Sequence, residues 1–224
     1  NGGPAKNWPV EVNAMLSRRY STPQNYSDFS FYPPAEKQDN NENKIDGKVV
    51  LNKEAFKLDK NGHGQAIVRD LPKLDRAYDL LSEVVYTDPN GKVQTISKTT
   101  PLWPAALQLG VNANQDIYAG GPLQIRVVAL DLNDKPLANQ SVTVRGLKHH
   151  TLSTRKRLVG GFYAWQEDEK TEDKGVLCMG KTDARGYLFC KDVIVQEAGN
   201  LELIAQASDK QGNKVKSAQQ IWIN

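Results

Sequence analysis

The sequence predicts an all-β protein made of two tandem antiparallel β-sandwich domains. Three observations carry this prediction: segments that alternate apolar and polar residues, turn sequences between them, and an internal repeat. The alternating segments are rich in Val, Ile, Leu and Thr and occupy residues 10–16, 124–132, 141–147 and 200–208. A period of two places successive side chains on opposite faces of a strand. Many short strands joined by tight turns, with little helical signal, indicate an antiparallel sandwich.

Tight turns are predicted at DKNG, DPNG, NDKP, DARG and DKQG, which begin at residues 59, 88, 133, 183 and 209. In four of these, an Asp is followed three residues later by a Gly. This spacing suits a type I turn, in which the Asp bonds to nearby backbone amides and the Gly adopts a left-handed conformation. The stretch LDKNGHG resembles the start of a calcium loop, but it lacks the further oxygen ligands and the bidentate Glu of an EF-hand. The turn interpretation is therefore preferred.

The chain also resembles itself. Residues 56–95 can be aligned with residues 180–217, which matches the turn at Asp59 and Gly62 with the turn at Asp183 and Gly186. Upstream, PAKNWPVEV at Pro4 aligns with PLANQSVTV at Pro136. Self-similarity at this spacing is typical of tandem domains that pack neighbour on neighbour.

The repeat sets the expected domain boundaries. Residues 109–135 should form two strands that open the second copy, and the first copy has no counterpart of them. We therefore expect a first sandwich at residues 1–103 that lacks its N-terminal strands, and a second at residues 104–224. The chain is interpreted as a piece of a longer array of such domains.

Composition narrows the function classes. The net charge of +3 comes from 29 basic and 26 acidic residues, which is typical of a solvated surface rather than of a nucleic-acid footprint. The densest basic run, residues 146–161, is interpreted as a solvated strand and loop, with a site for an anionic partner as the alternative. No apolar run is long enough for a transmembrane helix, and the first residues do not resemble a signal peptide.

The sequence offers no catalytic constellation. Paired carboxylates, a Ser-His-Asp grouping and a phosphate-binding loop are not recognisable, so we predict no catalytic residues, no cofactor and no enzyme activity. A zinc site would need four ligands, whereas the chain has two Cys and three His. His149 and His150 are adjacent and should point to opposite faces of a strand. No metal site is predicted.

Cys178 and Cys190 are predicted to form a disulfide. A redox pair would normally be Cys-x-x-Cys, and a catalytic cysteine would need a positioned base. The two cysteines lie symmetrically about position 184, within the turn TDARG. In a simple hairpin centred there they would face each other across the ladder, with Cα atoms about 4.5 Å apart. A disulfide would also indicate an oxidising compartment.

Three segments are harder to place. Residues 30–48 are polar and amide-rich and are interpreted as an exposed loop, with a protease-accessible bait as the sharper alternative. Residues 165–175 are interpreted as a charged loop at the tip of a hairpin. The aromatic row of residues 20–32 is expected to pack over an open sandwich end or against a neighbouring domain, and less readily to form a sugar or nucleobase platform.

Residues 107–144 and 180–223 resemble macroglobulin-like domains of the bacterial alpha-2-macroglobulins. The similarity lies in a Y-x-x-G entry strand at Tyr118–Gly121, a D-x-x-x-K-P-L segment at Asp131–Leu137, and an AGxLxLxAxAxD strand at Ala198–Asp209. The family's thioester signature, Cys-x-Glu-Gln, is absent, because the cysteines here read CMGK and CKDV.

The resemblance implies two shell domains of a larger periplasmic protein that traps proteases. Its partners would be neighbouring domains of the same chain and, through the full-length protein, proteases; nucleic acid and direct membrane insertion are not expected, and the isolated piece should be a monomer. The alternative is a pair of immunoglobulin-like adhesion or binding repeats of a surface protein.

Overall fold

The structure, a computed structural model, describes residues 4–35 and 45–224. Its elements are antiparallel strands and one short 3-10 helix, so the predicted all-β class is confirmed. The chain divides into two compact units, Asn1–Tyr20 with Gln38–Pro104, and Ser21–Lys37 with Ala105–Asn224. Residues 21–35, which the predicted boundaries placed in the first domain, therefore belong to the second unit.

The first unit contains a single sheet in its described residues. Its strands are β1 (Pro9–Arg18), β2 (Val49–Lys57), β3 (Tyr78–Thr87) and β4 (Val93–Leu102), in the order β2-β1-β3-β4. Alternate residues of the inner strand β1 are buried, namely Val10, Val12, Ala14 and Leu16. The period of two in the sequence thus places these apolar side chains on one face.

The second unit is a sandwich of two sheets. Its strands are β5 (Gln108–Ala113), β6 (Pro122–Leu130), β7 (Ser141–Arg157), β8 (Tyr163–Lys181), β9 (Tyr187–Ile194), β10 (Gly199–Ser208) and β11 (Lys214–Ile223). One sheet has the order β11-β10-β7-β8 and the other has the order β5-β6-β9. The core between them is almost wholly aliphatic, and its largest fully buried members include Leu107, Leu109, Leu123, Ile125, Leu201, Leu203 and Ile223.

The two units share a folding pattern, as the internal repeat predicts. If β1, β2, β3 and β4 are matched with β7, β8, β10 and β11, both four-stranded sheets have the same strand order. The described part of the first unit has no counterpart of β5 and β6. Asn7 and Asn139, which the repeat aligns, both adopt a positive φ, of 55° and 57°.

The predicted Asp turns share one hydrogen-bonding pattern. In each of five turns, a carboxylate oxygen of the first Asp accepts the backbone N–H groups two and four residues later, at 2.8–3.0 Å. The five turns begin at Asp59, Asp88, Asp131, Asp183 and Asp209. The turn predicted at residues 133–136 therefore starts two residues earlier than expected.

The charged segment 165–175 is not a loop. It lies within β8, whose 19 residues pair with β7, and the turn between the two strands is at residues 158–162. β8 is the last strand of its sheet. Charged side chains on such an edge discourage pairing with another chain, which explains how so polar a segment forms a strand.

Candidate functional site

Three features of the second unit stand out as candidates for function: a disulfide, a segment that crosses the sandwich edge, and a cluster of ionic side chains. The segment is residues 21–35, the described part of Ser21–Lys37, and is named the strap. Each feature joins parts of the fold that are distant in sequence.

The disulfide joins the two sheets of the sandwich. Cys178 of β8 and Cys190 of β9 are bonded, with their Cα atoms 6.0 Å apart. Cys178 pairs with Val144 in one sheet, and Cys190 pairs with Ile125 in the other. The expected hairpin geometry is therefore wrong, because β8 and β9 lie in different sheets and the turn at Asp183 carries the chain from one sheet to the other. The bond acts as a cross-link between the layers.

The strap bonds to an edge strand of each sheet. Ser30 exchanges two backbone hydrogen bonds with Val111 of β5, at 2.8 and 3.0 Å. On the other side, its hydroxyl donates to the carbonyl oxygen of Ala218 in β11 at 2.6 Å, and the amide of Ala218 donates to the carbonyl oxygen of Tyr32 at 2.7 Å. β5 and β11 are both terminal strands. The strap therefore satisfies backbone groups that an open sandwich edge would leave exposed.

Aromatic side chains anchor the strap. Phe29 is 5% exposed and packs with Val128 and Leu130 of the second unit. The surrounding set, named the aromatic cluster, comprises Tyr26, Phe29, Phe31 and Tyr187. Gly110 lies beneath it, and a Cβ at that position would meet the Phe31 ring at 2.7 Å. Three members of the aromatic row, Tyr26, Phe29 and Phe31, thus pack on the sandwich, and Phe29 is too buried to serve as a ligand platform. Tyr20 and Tyr32 are exposed.

Three side chains form a hydrogen-bonded group next to the end of the strap. This group, named the ionic cluster, comprises Glu202, His149 and Glu169. Glu202 of β10 is 2% exposed, and its Oε1 accepts the backbone N–H of Ala35 at 2.8 Å. Its Oε2 lies 2.9 Å from Nε2 of His149, while Nδ1 of the same ring lies 2.7 Å from Glu169. One imidazole therefore bridges a buried and an exposed carboxylate, and the buried carboxylate also holds the strap.

The electrostatics favour a charged imidazole. Burial of the ring lowers the pKa of His149, but its hydrogen bonds to Glu202 and Glu169 outweigh burial, so the pKa is raised above 6.5. With both ring nitrogens bonded to carboxylates, protonation allows both to donate. A buried carboxylate needs such a partner, because an unpaired buried charge is costly.

A second group of charges is centred on Lys148, which immediately precedes His149 in β7 and therefore lies on the opposite face of the strand. Lys148, whose side chain is 7% exposed, donates to Glu197 at 3.0 Å and to the carbonyl oxygen of Ala198 at 2.6 Å. Lys174 donates to Glu197 and to Glu172, each at 2.8 Å. Hydrogen bonds from Lys174 and Lys148 lower the pKa of Glu197 to about 2. This carboxylate is therefore ionised throughout the physiological range.

The hydrogen bonds of Glu202 and His149 connect β7, β8 and β10 with the strap. His149 and His150 bond to different carboxylates, consistent with opposite faces of β7. Across residues 4–35 and 45–224, no group of three or more His, Cys, Asp or Glu side chains is placed to hold a metal ion. Within the same residues, no helix is long and apolar enough to cross a bilayer.

The strap and the ionic cluster were not found from the sequence. The buried Glu202 lies in a strand whose neighbours are apolar, in the sequence NLELIAQA. A charged residue at that position was the available signal, because Glu is rarely fully buried unless it is paired. Of residues 30–48, which were proposed as a loop or bait, 36–44 lie outside the described residues.

Comparison with known proteins gives matches among solved structures alone. The chain matches no protein-family model, and a search of curated proteins gives no match. All of the chain superposes on Escherichia coli alpha-2-macroglobulin in its native conformation, with a TM-score of 0.63 and 15% identity, covering 14% of that chain. Salmonella alpha-2-macroglobulin reacted with methylamine gives 0.62 and 15%, with 15% of its chain covered.

A third similar structure is E. coli alpha-2-macroglobulin activated by porcine elastase, with a TM-score of 0.62, 16% identity and 19% of that chain covered. The chain thus spans between about one seventh and one fifth of the length of these structures. At this level of identity the similarity concerns the fold. Both units of the chain have the fold of a part of bacterial alpha-2-macroglobulins.

Proposed function

We propose that this chain forms two structural shell domains of a bacterial alpha-2-macroglobulin-like inhibitor that traps proteases. The observation that carries the proposal is the superposition of the entire chain, rather than of one sandwich, on three such structures. A match that extends across two consecutive units is more specific than a match to one sandwich, since sandwiches occur in many unrelated proteins.

The role of the two domains is mechanical. In the second unit, the disulfide connects the two sheets, and the strap, whose Ala35 is bound by Glu202, connects an edge strand of each sheet. Such a unit resists internal deformation, and a rearrangement of the parent protein after cleavage by a protease would move it as a body.

The disulfide supports an extracytoplasmic compartment for the parent protein. Disulfides persist in oxidising environments, which include the bacterial periplasm. We therefore place the parent protein in the periplasm, within the bacterial cell envelope. Because both cysteines are bonded to each other, neither is available to form a thioester in this part of the parent.

The test uses the full-length protein that contains this chain. It is incubated with a protease, and the protease is then assayed with a small chromogenic peptide and with a large protein substrate. A trap leaves cleavage of the peptide intact and suppresses cleavage of the large protein. The isolated chain serves as the control and should protect neither substrate. Equal inhibition of both substrates, or of neither, by the full-length protein would contradict the proposal. Adhesion repeats, the alternative function, are not favoured by the matching structures.

A further inference from the structure

The hairpin formed by β7 and β8 extends well beyond its sheet. β10 pairs with β7 from Val142 to His149, whereas β8 follows β7 to Arg157. Residues 150–170 therefore form a two-stranded segment outside the four-stranded sheet, and this segment is named the ribbon. An isolated two-stranded ribbon is marginally stable in water by itself. Its side chains are consequently of interest as a contact surface.

The turn at the end of the ribbon shares two backbone hydrogen bonds with the five Asp turns but differs from them in sequence, and its third residue, Gly160, also has a positive φ of 92°. The amide of Leu158 donates to the carbonyl oxygen of Phe162 at 2.7 Å, and Gly161 donates to the carbonyl oxygen of Leu158 at 3.2 Å. The five Asp turns have the same two backbone bonds. Here, however, the first position is Leu instead of Asp, so the turn has no carboxylate to accept its amides. The end of the ribbon thus carries an apolar side chain where this fold otherwise places a negative charge.

The end of the ribbon is strongly exposed and apolar. Val159 is 102% exposed, Phe162 is 74% exposed and Leu158 is 49% exposed. Trp165 and Tyr163, on the following strand, are 71% and 53% exposed. Single exposed apolar residues are ordinary on protein surfaces, but a contiguous group at the end of a projection marks an interaction site.

The charges of the ribbon are arranged in layers. Residues 154–166 contain three basic residues and no acidic residue, whereas residues 167–169 are all acidic. In the ladder, Arg155 is opposite Trp165 and Arg157 is opposite Tyr163. The guanidinium of Arg155 also lies over the Tyr163 ring, 4.3 Å from its centroid. From the turn inward, the order is apolar, then aromatic and cationic, then anionic.

We propose that the end of this ribbon inserts into the surface of an anionic phospholipid bilayer. Apolar side chains at the turn enter the acyl boundary, aromatic rings such as Trp165 lie among the headgroups, and basic side chains bind lipid phosphates. At roughly 3.3 Å per residue, Arg155 lies about 10 Å from the turn, within the depth of the headgroup region. Asp168, which is opposite Leu152, lies about 20 Å from the turn and remains in water.

A protein partner is the other class of occupant to consider. An apolar groove of a protein would match the apolar turn, but it gives no reason for three consecutive basic residues next to the turn without an acidic residue among them. An anionic bilayer accounts for the apolar turn and for the basic residues. The inference is independent of the proposed protease trap, because it concerns the isolated 224-residue chain and a lipid surface.

The experiment measures co-sedimentation of the 224-residue chain with vesicles of phosphatidylethanolamine and phosphatidylglycerol, compared with vesicles of phosphatidylcholine alone. We expect binding to the anionic vesicles and little binding to the zwitterionic ones. Each basic residue near an anionic surface strengthens binding roughly fivefold, so replacing Arg155, Lys156 and Arg157 by Gln should weaken it on the order of a hundredfold.

The decisive variant is Leu158→Asp. Leu158 is 49% exposed, so an Asp at this position is not forced into a core, and yet it places a negative charge at the membrane. It should reduce vesicle binding at least about tenfold, since a carboxylate is expensive to bring into an apolar phase. The matched control is Ile194→Asp, which makes the same change of charge at a position that is 56% exposed in β9, and which should bind as the unmodified chain does.

A second readout locates the contact. Trp165 should be quenched by brominated lipid acyl chains, and the quenching should disappear in the Trp165→Phe variant. Three results would each overturn the proposal: no binding of the unmodified chain to anionic vesicles, equal binding to phosphatidylcholine vesicles, or binding that Leu158→Asp leaves unchanged. A ribbon that binds a protein instead would give the first result.

Discussion

Removal of the disulfide should destabilise the second unit selectively. The bond closes a loop with a sequence separation of 12 residues, between Cys178 and Cys190. In the chain-entropy model, a loop of this size contributes about 3 kcal/mol to the free energy of unfolding, because the cross-link restricts the unfolded chain. For a unit of this size, such a loss lowers the melting temperature by roughly 10 °C. Replacing both cysteines by Ala avoids placing a hydroxyl in the core, where Cys190 is 4% exposed.

Hydrogen exchange followed by mass spectrometry distinguishes the units in one experiment. Amides of β6 and β10 in the second unit should lose protection by roughly 150-fold, which corresponds to about 3 kcal/mol when exchange occurs through global opening of that unit. The first unit contains no cysteine, so β1 and β3 serve as the internal control and should be unchanged. Protection that is unchanged in β10, or that falls equally in β1, would refute the argument that the bond cross-links the layers of one unit.

Three further predictions concern single positions. Gly186→Ala should lower the melting temperature more than Gly212→Ala does. Both glycines have a similar φ, of 80° and 84°, so the backbone strain of the two substitutions is matched. A Cβ at Gly186 would lie 2.8 Å from the carbonyl oxygen of Ala129, whereas a Cβ at Gly212 would have no atom within 4 Å. Gly110→Ala should lower the free energy of unfolding in urea by about 1–3 kcal/mol, because the new Cβ displaces the aromatic cluster. In a Phe31→Ala background the same glycine substitution should lower the free energy of unfolding by less. For His149, whose folded pKa is raised, the stabilisation is complete below pH 6.5 and is lost as the pH rises through the folded value; His149→Gln should abolish this dependence in melting temperatures measured above pH 6.5.

The sequence predicted the features that are encoded locally. Strands followed the alternating pattern, and the turns followed the spacing of Asp and Gly. The repeat was recognisable from the matched Asp and Gly turns of its two copies, and Asn7 and Asn139, which it aligns, occupy equivalent left-handed positions that Asn tolerates better than most residues. Each of these features depends on the conformational preferences of a few neighbouring residues.

Features that depend on partners distant in sequence were misplaced. An Asp turn looks the same whether it joins two strands of one ladder or carries the chain to the opposite sheet. At Asp183 the chain passes to the opposite sheet because β8, before the turn, pairs with β7, and β9, after the turn, pairs with β6. The sequence therefore predicted which cysteines are bonded but not that the bond crosses the sandwich.

The strap shows the same limitation in another form. Residues 21–35 have no periodicity, because their contacts alternate between a backbone edge, a buried ring and the carboxylate of Glu202. Sequence order placed the strap with β1, whereas the burial of Phe29 and the hydrogen bonds to β5 and β11 place it with the second unit. Its position is therefore fixed by unpaired edges that form only when both sheets have assembled. The groups that bind the strap come from strands more than 70 residues further along the chain, so no pattern within residues 21–35 could reveal its position.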